Sequence, residues 1–133
     1  MLKAELGKEI VIKVINDIGI LADITRVVAD MGISLLAVTC WVEGANGIIH
    51  LVTDDNLRAT DALRKHHYES REAKVVLAEL PHKPGMLKIL AEKLKAAKID
   101  IHHLYATTHS SDAKCLTVLS TSDNDRAVVT LNK

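Results

Sequence analysis

Phenylalanine is absent from this 133-residue chain, and Trp41, Tyr68 and Tyr105 are its complement of Trp and Tyr. Neither sign of charge is in excess: 17 Lys plus Arg meet 17 Asp plus Glu, so the formal net charge is zero with His neutral. Nucleic-acid binders draw much of their affinity from neutralising phosphates, and single-strand binders stack bases on aromatic rings. The composition offers neither in quantity, so no nucleic-acid partner is expected. The longest apolar run lies near Ile33 to Val38, far short of the roughly 20 residues that cross a bilayer. No membrane partner is expected either. Lys3, Glu5, Lys8 and Glu9 crowd the first residues with charge, unlike the apolar core of a secretory signal. Cys40 and Cys115 are the two cysteines, too few for a disulfide framework. A soluble cytoplasmic protein is the expectation these absences leave.

What is present is aliphatic. Hydrophobic residues make up 48% of the chain, so the core must be built from Leu, Ile, Val and Ala. The order of those residues repeats. Gly19 and Gly85 each follow a strand-like run and open a helical pattern. Around them Leu21 matches Leu87, Ile24 matches Leu90, Val28 matches Leu94, Ile33 matches Ile99 and Val38 matches Leu104. Further on, Asp55-Asn56 with Arg58-Ala59 matches Asp123-Asn124 with Arg126-Ala127. The spacing grows by two residues between Tyr105 and Cys115, where a hairpin loop absorbs an insertion. Two copies of one unit are therefore expected.

The unit reads β-α-β-β-α-β. Glu9 to Ile15 is β-branched and apolar, a strand. Ile20, Leu21, Ile24, Val27, Val28 and Met31 follow helical spacing, and Gly32 ends that helix. Ser34 to Val42 and Ile48 to Thr53 form a hairpin. Asp54, Asp55 and Asn56 cap a second helix whose buried face is expected to be Ala59, Ala62, Leu63 and His66. Tyr68 to Ala73 is a short closing strand. Copy two repeats this with strand Lys74 to Leu80, a helix striped by Met86, Leu87, Leu90, Leu94 and Ala97, hairpin strands Asp100 to Thr107 and Lys114 to Ser120, and a last helix from Asp123. No closing strand is readable after it. The predicted fold class is thus α+β: two ferredoxin-like βαββαβ units at 1–73 and 74–133, antiparallel sheets with helices on one face, the second lacking its last strand. Either a partner chain or residues Met1 to Leu6 are expected to cover the edge so left.

Two stretches carry a resemblance: Asn16-Asp17-Ile18-Gly19-Ile20-Leu21 with Gly32-Ile33-Ser34-Leu35, and His82-Lys83-Pro84-Gly85-Met86-Leu87 with Lys98-Ile99-Asp100-Ile101. Set in a repeated βαββαβ frame, they make the chain resemble a tandem pair of ACT domains, a family of small-molecule sensors. Its pattern is an Asp or Asn, then Pro-Gly and an apolar pair, then a helix that leads to Gly-x-Asn-Ile. Here Ile18 replaces the proline in copy one, His82 replaces the acidic or amide residue in copy two, and Ser34 and Asp100 stand where Asn is usual. The resemblance implies a free amino acid as ligand. It marks Asn16, Asp17, Ile18, Gly19, Ile20, Leu21 and Ser34, with His82, Lys83, Pro84, Gly85, Met86, Leu87 and Asp100, as ligand-binding candidates. A homodimer or higher oligomer is expected because both faces of Leu35 to Val42 are apolar and the last strand is missing, and a target enzyme is a further expected partner.

The chemistry of the loop agrees with that reading. Glycine lets backbone approach a ligand, and the helix start beyond it offers amide N–H groups to a carboxylate. Asn16 or Asp17 would accept hydrogen bonds from an ammonium group. The plain structural alternative is a tight strand-to-helix turn with no ligand. Adjacent His102 and His103 point to opposite faces of one strand, and no Cys-x-x-Cys or His-x-x-x-His spacing occurs, so no metal site or cofactor is expected; a metal-responsive regulator is a minor alternative. No phosphate loop or nucleophile elbow is present. The function expected is a non-enzymatic regulatory sensor that binds its ligand between units or subunits, with an oligomerisation module that binds nothing as the alternative.

Overall fold

In a computed structural model the chain is described from residue 2 to residue 133. Ten elements follow in order: β1 (Lys3–Ile15), α1 (Ile20–Asp30), β2 (Leu35–Glu43), β3 (Asn46–Thr53), α2 (Asn56–Lys65), β4 (Ser70–Pro81), α3 (Met86–Ala96), β5 (Ile101–Thr107), β6 (Lys114–Thr121) and α4 (Asn124–Leu131). They form two compact units, residues 8–73 and residues 1–7 with 74–133. The expected boundary at Ala73/Lys74 falls inside β4, which runs unbroken where a separate Tyr68–Ala73 strand was expected. Nothing in Ser70–Leu80 is a Gly or Pro that would break an extended chain.

In residues 8–73 the strand order is β2-β3-β1-β4. β3 runs antiparallel to both neighbours, with Ile12 opposite Ile49 and Cys40 opposite the same Ile49. Ile10, Ile12, Ile49 and Leu51 sit on the face that packs under Ile24, Val27 and Val28 of α1 and Ala59, Ala62 and Leu63 of α2. His66 was expected on that buried face and is exposed. It lies past the last helical turn, where His67 turns the backbone left-handed at φ 67°.

The other unit repeats the plan as β1-β4-β6-β5. Val76, Ala78 and Leu80 of β4 and Leu119 of β6 pack under Met86, Leu90 and Leu94 of α3 and Ala127 and Leu131 of α4. Leu87, expected in the α3 stripe, is exposed. The fourth strand, unreadable after α4, comes from residues 3–7 of β1. Ala4 is buried in this core, and its N–H donates to Asn132 Oδ1 at 2.8 Å while Asn132 Nδ2 donates to Ala4 O at 2.8 Å. Gly7 is required in that strand, because a Cβ there would lie 2.6 Å from Leu77 Cδ1.

The matched Asp-Asn-x-Arg segments make the same bonds in each unit. Asp55 accepts from Arg58 N and Asp123 accepts from Arg126 N, both as N-caps. Asn56 Oδ1 accepts from Thr53 N and Oγ1, and its Nδ2 donates to Lys8 O. Asn124 does the same with Thr121 and Lys74 O. Arg58 donates to Met31 O at the end of α1, and Arg126 to Ala97 O at the end of α3. Each arginine thus ties the two helices of its own unit, and each asparagine ties the second helix to the first strand.

Candidate functional loop cavities

The β1–α1 loop is fixed by backbone chemistry. Asn16 N donates to Ala45 O at 2.9 Å, which pins the loop to the β2–β3 turn. Ile20 N donates to Asp17 O at 3.1 Å and closes a turn over Ile18. Ile18 is fully exposed. Gly19 is the N-cap at φ 89°, and no side chain caps α1. Beyond Ile20, the first-turn amides of Leu21 and Ala22 have no partner within the helix, so they remain available to a ligand, together with the positive end of the helix dipole.

A cavity of about 340 Å³ opens beside this loop. Asn16, Asp17, Gly19, Ile20 and Leu21 line it from the loop and the first turn of α1. Trp41 and its neighbours Cys40 and Val42 line it from β2, and Gly47, Ile48 and Ile49 from β3. The Trp41 indole donates to Glu43 Oε2 at 2.5 Å, and its ring lies 5.1 Å from that of His50. Gly47 leaves room beside the loop: a Cβ there would come within 3.8 Å of Asn16 Oδ1. The cavity therefore presents an acidic and amide mouth, an uncapped helix start and apolar walls.

The β4–α3 loop has the same backbone. His82 N donates to Ala113 O at 2.8 Å, the counterpart of the Asn16–Ala45 bond. Gly85 is the N-cap at φ 88°, and again no side chain caps the helix. A cavity of about 210 Å³ is lined here by His82, Lys83, Met86 and Leu87, with Thr107 from β5 and Cys115 and Thr117 from β6 among its walls.

Five of the seven candidates of copy one and four of the seven of copy two thus converge on a cavity. Ile18 and Gly85 do not line these cavities, and Pro84 lines a separate one with Leu2 and Lys133. Ser34 and Asp100 stand at the start of β2 and β5, whereas the cavities touch the far ends of those strands. There Ser34 N donates to Asp54 Oδ1 and Asp100 N to Ser122 Oγ, bonds that hold each strand beside the following helix. The walls supplied by Trp41, Gly47, Cys115 and Thr117 were not among the candidates. Their signal was within the repeat: at the hairpin spacing Gly47 matches Cys115 and Ile49 matches Thr117.

Among solved structures, a crystal structure of a protein from Bacteroides thetaiotaomicron is 26% identical to this chain, with a TM-score of 0.89 over 97% of this chain and 88% of that one. The regulatory subunit of aspartate kinase from Thermus thermophilus, in ligand-free form, matches at 13% identity and a TM-score of 0.68, covering 97% of this chain and 94% of that one. An aspartate kinase from Clostridium acetobutylicum, described as an allosteric enzyme, matches 98% of this chain with 33% of its own, at 13% identity and a TM-score of 0.61. At 13% identity the likeness is one of fold. No family model and no curated protein matches the sequence. Among the described residues no helix is long and apolar enough to cross a membrane.

Proposed function

We propose that this chain, whose fold is that of a tandem pair of ACT-like domains, is a non-enzymatic regulatory module that binds a free amino acid at the β1–α1 loop. The observation that carries the reading is the loop cavity itself. An uncapped helix start beyond a left-handed Gly19 seats the α-carboxylate, and Asp17 with Asn16 stands at the mouth to receive the ammonium group. Ile20, Leu21, Val42 and Ile49 give the side chain apolar walls. The fold shared with an aspartate kinase regulatory subunit supports a regulatory role. Binding would act on a target enzyme through different affinity for two states of the assembly. A homodimer is part of this reading, because β2 is an edge strand whose Leu36, Val38, Cys40 and Val42 are all exposed on one face. A second copy would cover that row.

A thermal-shift screen of the protein against the proteinogenic amino acids tests the reading. A ligand at about 100 times its Kd stabilises the folded state by about 2.7 kcal/mol, which moves Tm by several degrees. At least one amino acid is expected to do so at millimolar concentration. Gly19→Ala, which forces a Cβ onto a φ of 89°, and Asp17→Ala are each expected to weaken that response. Silence from the whole set overturns the sensor reading and leaves the exposed β2 row as the mark of an oligomerisation module.

A further inference from the structure

The two loop cavities share a backbone and differ in charge, size and the chemistry of the wall. Asp17 and Asn16 in the first are replaced by Lys83 and His82 in the second. Gly47 is replaced by Cys115, whose side chain occupies space that glycine leaves open, and the volume falls from about 340 to about 210 Å³. Ile49 is replaced by Thr117. Thr117 is 0% exposed, lines the cavity, and its hydroxyl has no hydrogen-bond partner among the described residues. A buried hydroxyl left unbonded costs free energy that a ligand acceptor would recover.

We infer that the β4–α3 cavity binds a compact carboxylate that carries no ammonium group, a short 2-oxo or 2-hydroxy acid. This inference rests on the amino-acid reading of the first loop, since it treats the second as the same carboxylate seat with the ammonium contact removed. The carboxylate meets the uncapped start of α3 and the Lys83 ammonium. The Thr117 hydroxyl donates to the oxo or hydroxy oxygen. An α-ammonium has no acidic partner there, because Lys83 holds the place of Asp17 and repels it. Cys115 limits the ligand to a few carbons. The two copies then read different molecules, one an amino acid and the other a related acid without the amine.

Calorimetric titration of the full chain with pyruvate, lactate, inorganic phosphate and the amino acids tests this. Thr117→Val keeps the side-chain shape and removes an unbonded hydroxyl, so it is expected to fold with undiminished Tm. Lys83→Glu is an exposed change that serves as the second variant. Pyruvate or lactate is expected to bind the parent protein, with Kd raised about tenfold or more by each variant and unmoved by Asp17→Ala. The amino acid is expected to show the opposite pattern. The inference is overturned if neither acid binds while an amino acid does, or if Thr117→Val and Lys83→Glu leave the acid's Kd unchanged. Phosphate binding as tightly and with the same sensitivity overturns it too, since charge alone would then suffice. An acid response with the expected sensitivity but no amino-acid response supports the second site and overturns the reading of the first.

Discussion

At the scale of single residues, two pairs of left-handed positions show what the copies kept and where they diverged around one backbone. Gly19 and Gly85 hold φ near 90° with nothing within 4 Å of a Cβ, so the demand for glycine there is conformational and not one of space. Gly32 closes α1 at φ 72°, with its N–H bonded to Ala29 O, the C-terminal glycine arrangement. The matching residue after α3 is Lys98, held at φ 58°. A lysine in that conformation stores strain of about 1–2 kcal/mol, part of which glycine would give back as unfolded-chain entropy. Lys98→Gly is therefore expected to raise stability by about 0.5–1 kcal/mol, read as a higher urea midpoint at constant m-value. A lower midpoint would show that the lysine side chain contributes more than its backbone costs.

Among elements, β1 has the longest reach. Its residues 8–15 belong to one unit and its residues 3–7 to the other, where they complete the sheet beside β4. The bond that secures the second attachment is the double hydrogen bond between Ala4 and Asn132, 128 residues apart. Side-chain amides that pair with a strand backbone in this way contribute about 1 kcal/mol per hydrogen bond. Asn132→Ala is expected to cost about 1–2 kcal/mol and to speed amide exchange in residues 3–7. Residues 8–15, held by β3, should be unaffected. Equal acceleration along the whole of β1 would mean that the strand opens as one piece and that Asn132 has no local role.

For the molecule as a whole, the unit of residues 8–73 keeps an apolar row on edge strand β2. Val38 is opposite Leu51 and Cys40 opposite Ile49, so the row lies on the helix-bearing face but outside the cover of α1 and α2. An exposed edge with apolar residues invites pairing with another copy. A lysine in that row blocks such pairing without touching the buried core. Val38→Lys is expected to halve the mass measured by light scattering after size exclusion while leaving the unfolding transition cooperative. A parent protein that already elutes as a monomer rules out the homodimer. Long-range pairing also makes the unit of residues 1–7 and 74–133 dependent on both ends of the described chain, which raises contact order and slows its folding relative to residues 8–73.

The sequence by itself determined what local chemistry determines. Glycine conformations, Asp caps, helical stripes and the hairpin insertion each leave a mark within a few residues. The repetition of those marks was enough for the βαββαβ units and for the loops at Gly19 and Gly85. Tertiary structure decided what depends on residues far apart. It joined the expected Tyr68–Ala73 and Lys74–Leu80 strands into β4, and it decided between the two expected covers of the open edge in favour of residues 3–7 beside β4, because a strand's pairing partner far off in sequence leaves no local pattern. It also placed Trp41, Gly47, Cys115 and Thr117 in the walls of the cavities, since hairpin register, not proximity in sequence, brings a return strand to a βα loop. The scarcity of aromatic residues weighed against base stacking. The one tryptophan borders a loop cavity through its strand, while its ring lies beside that of His50.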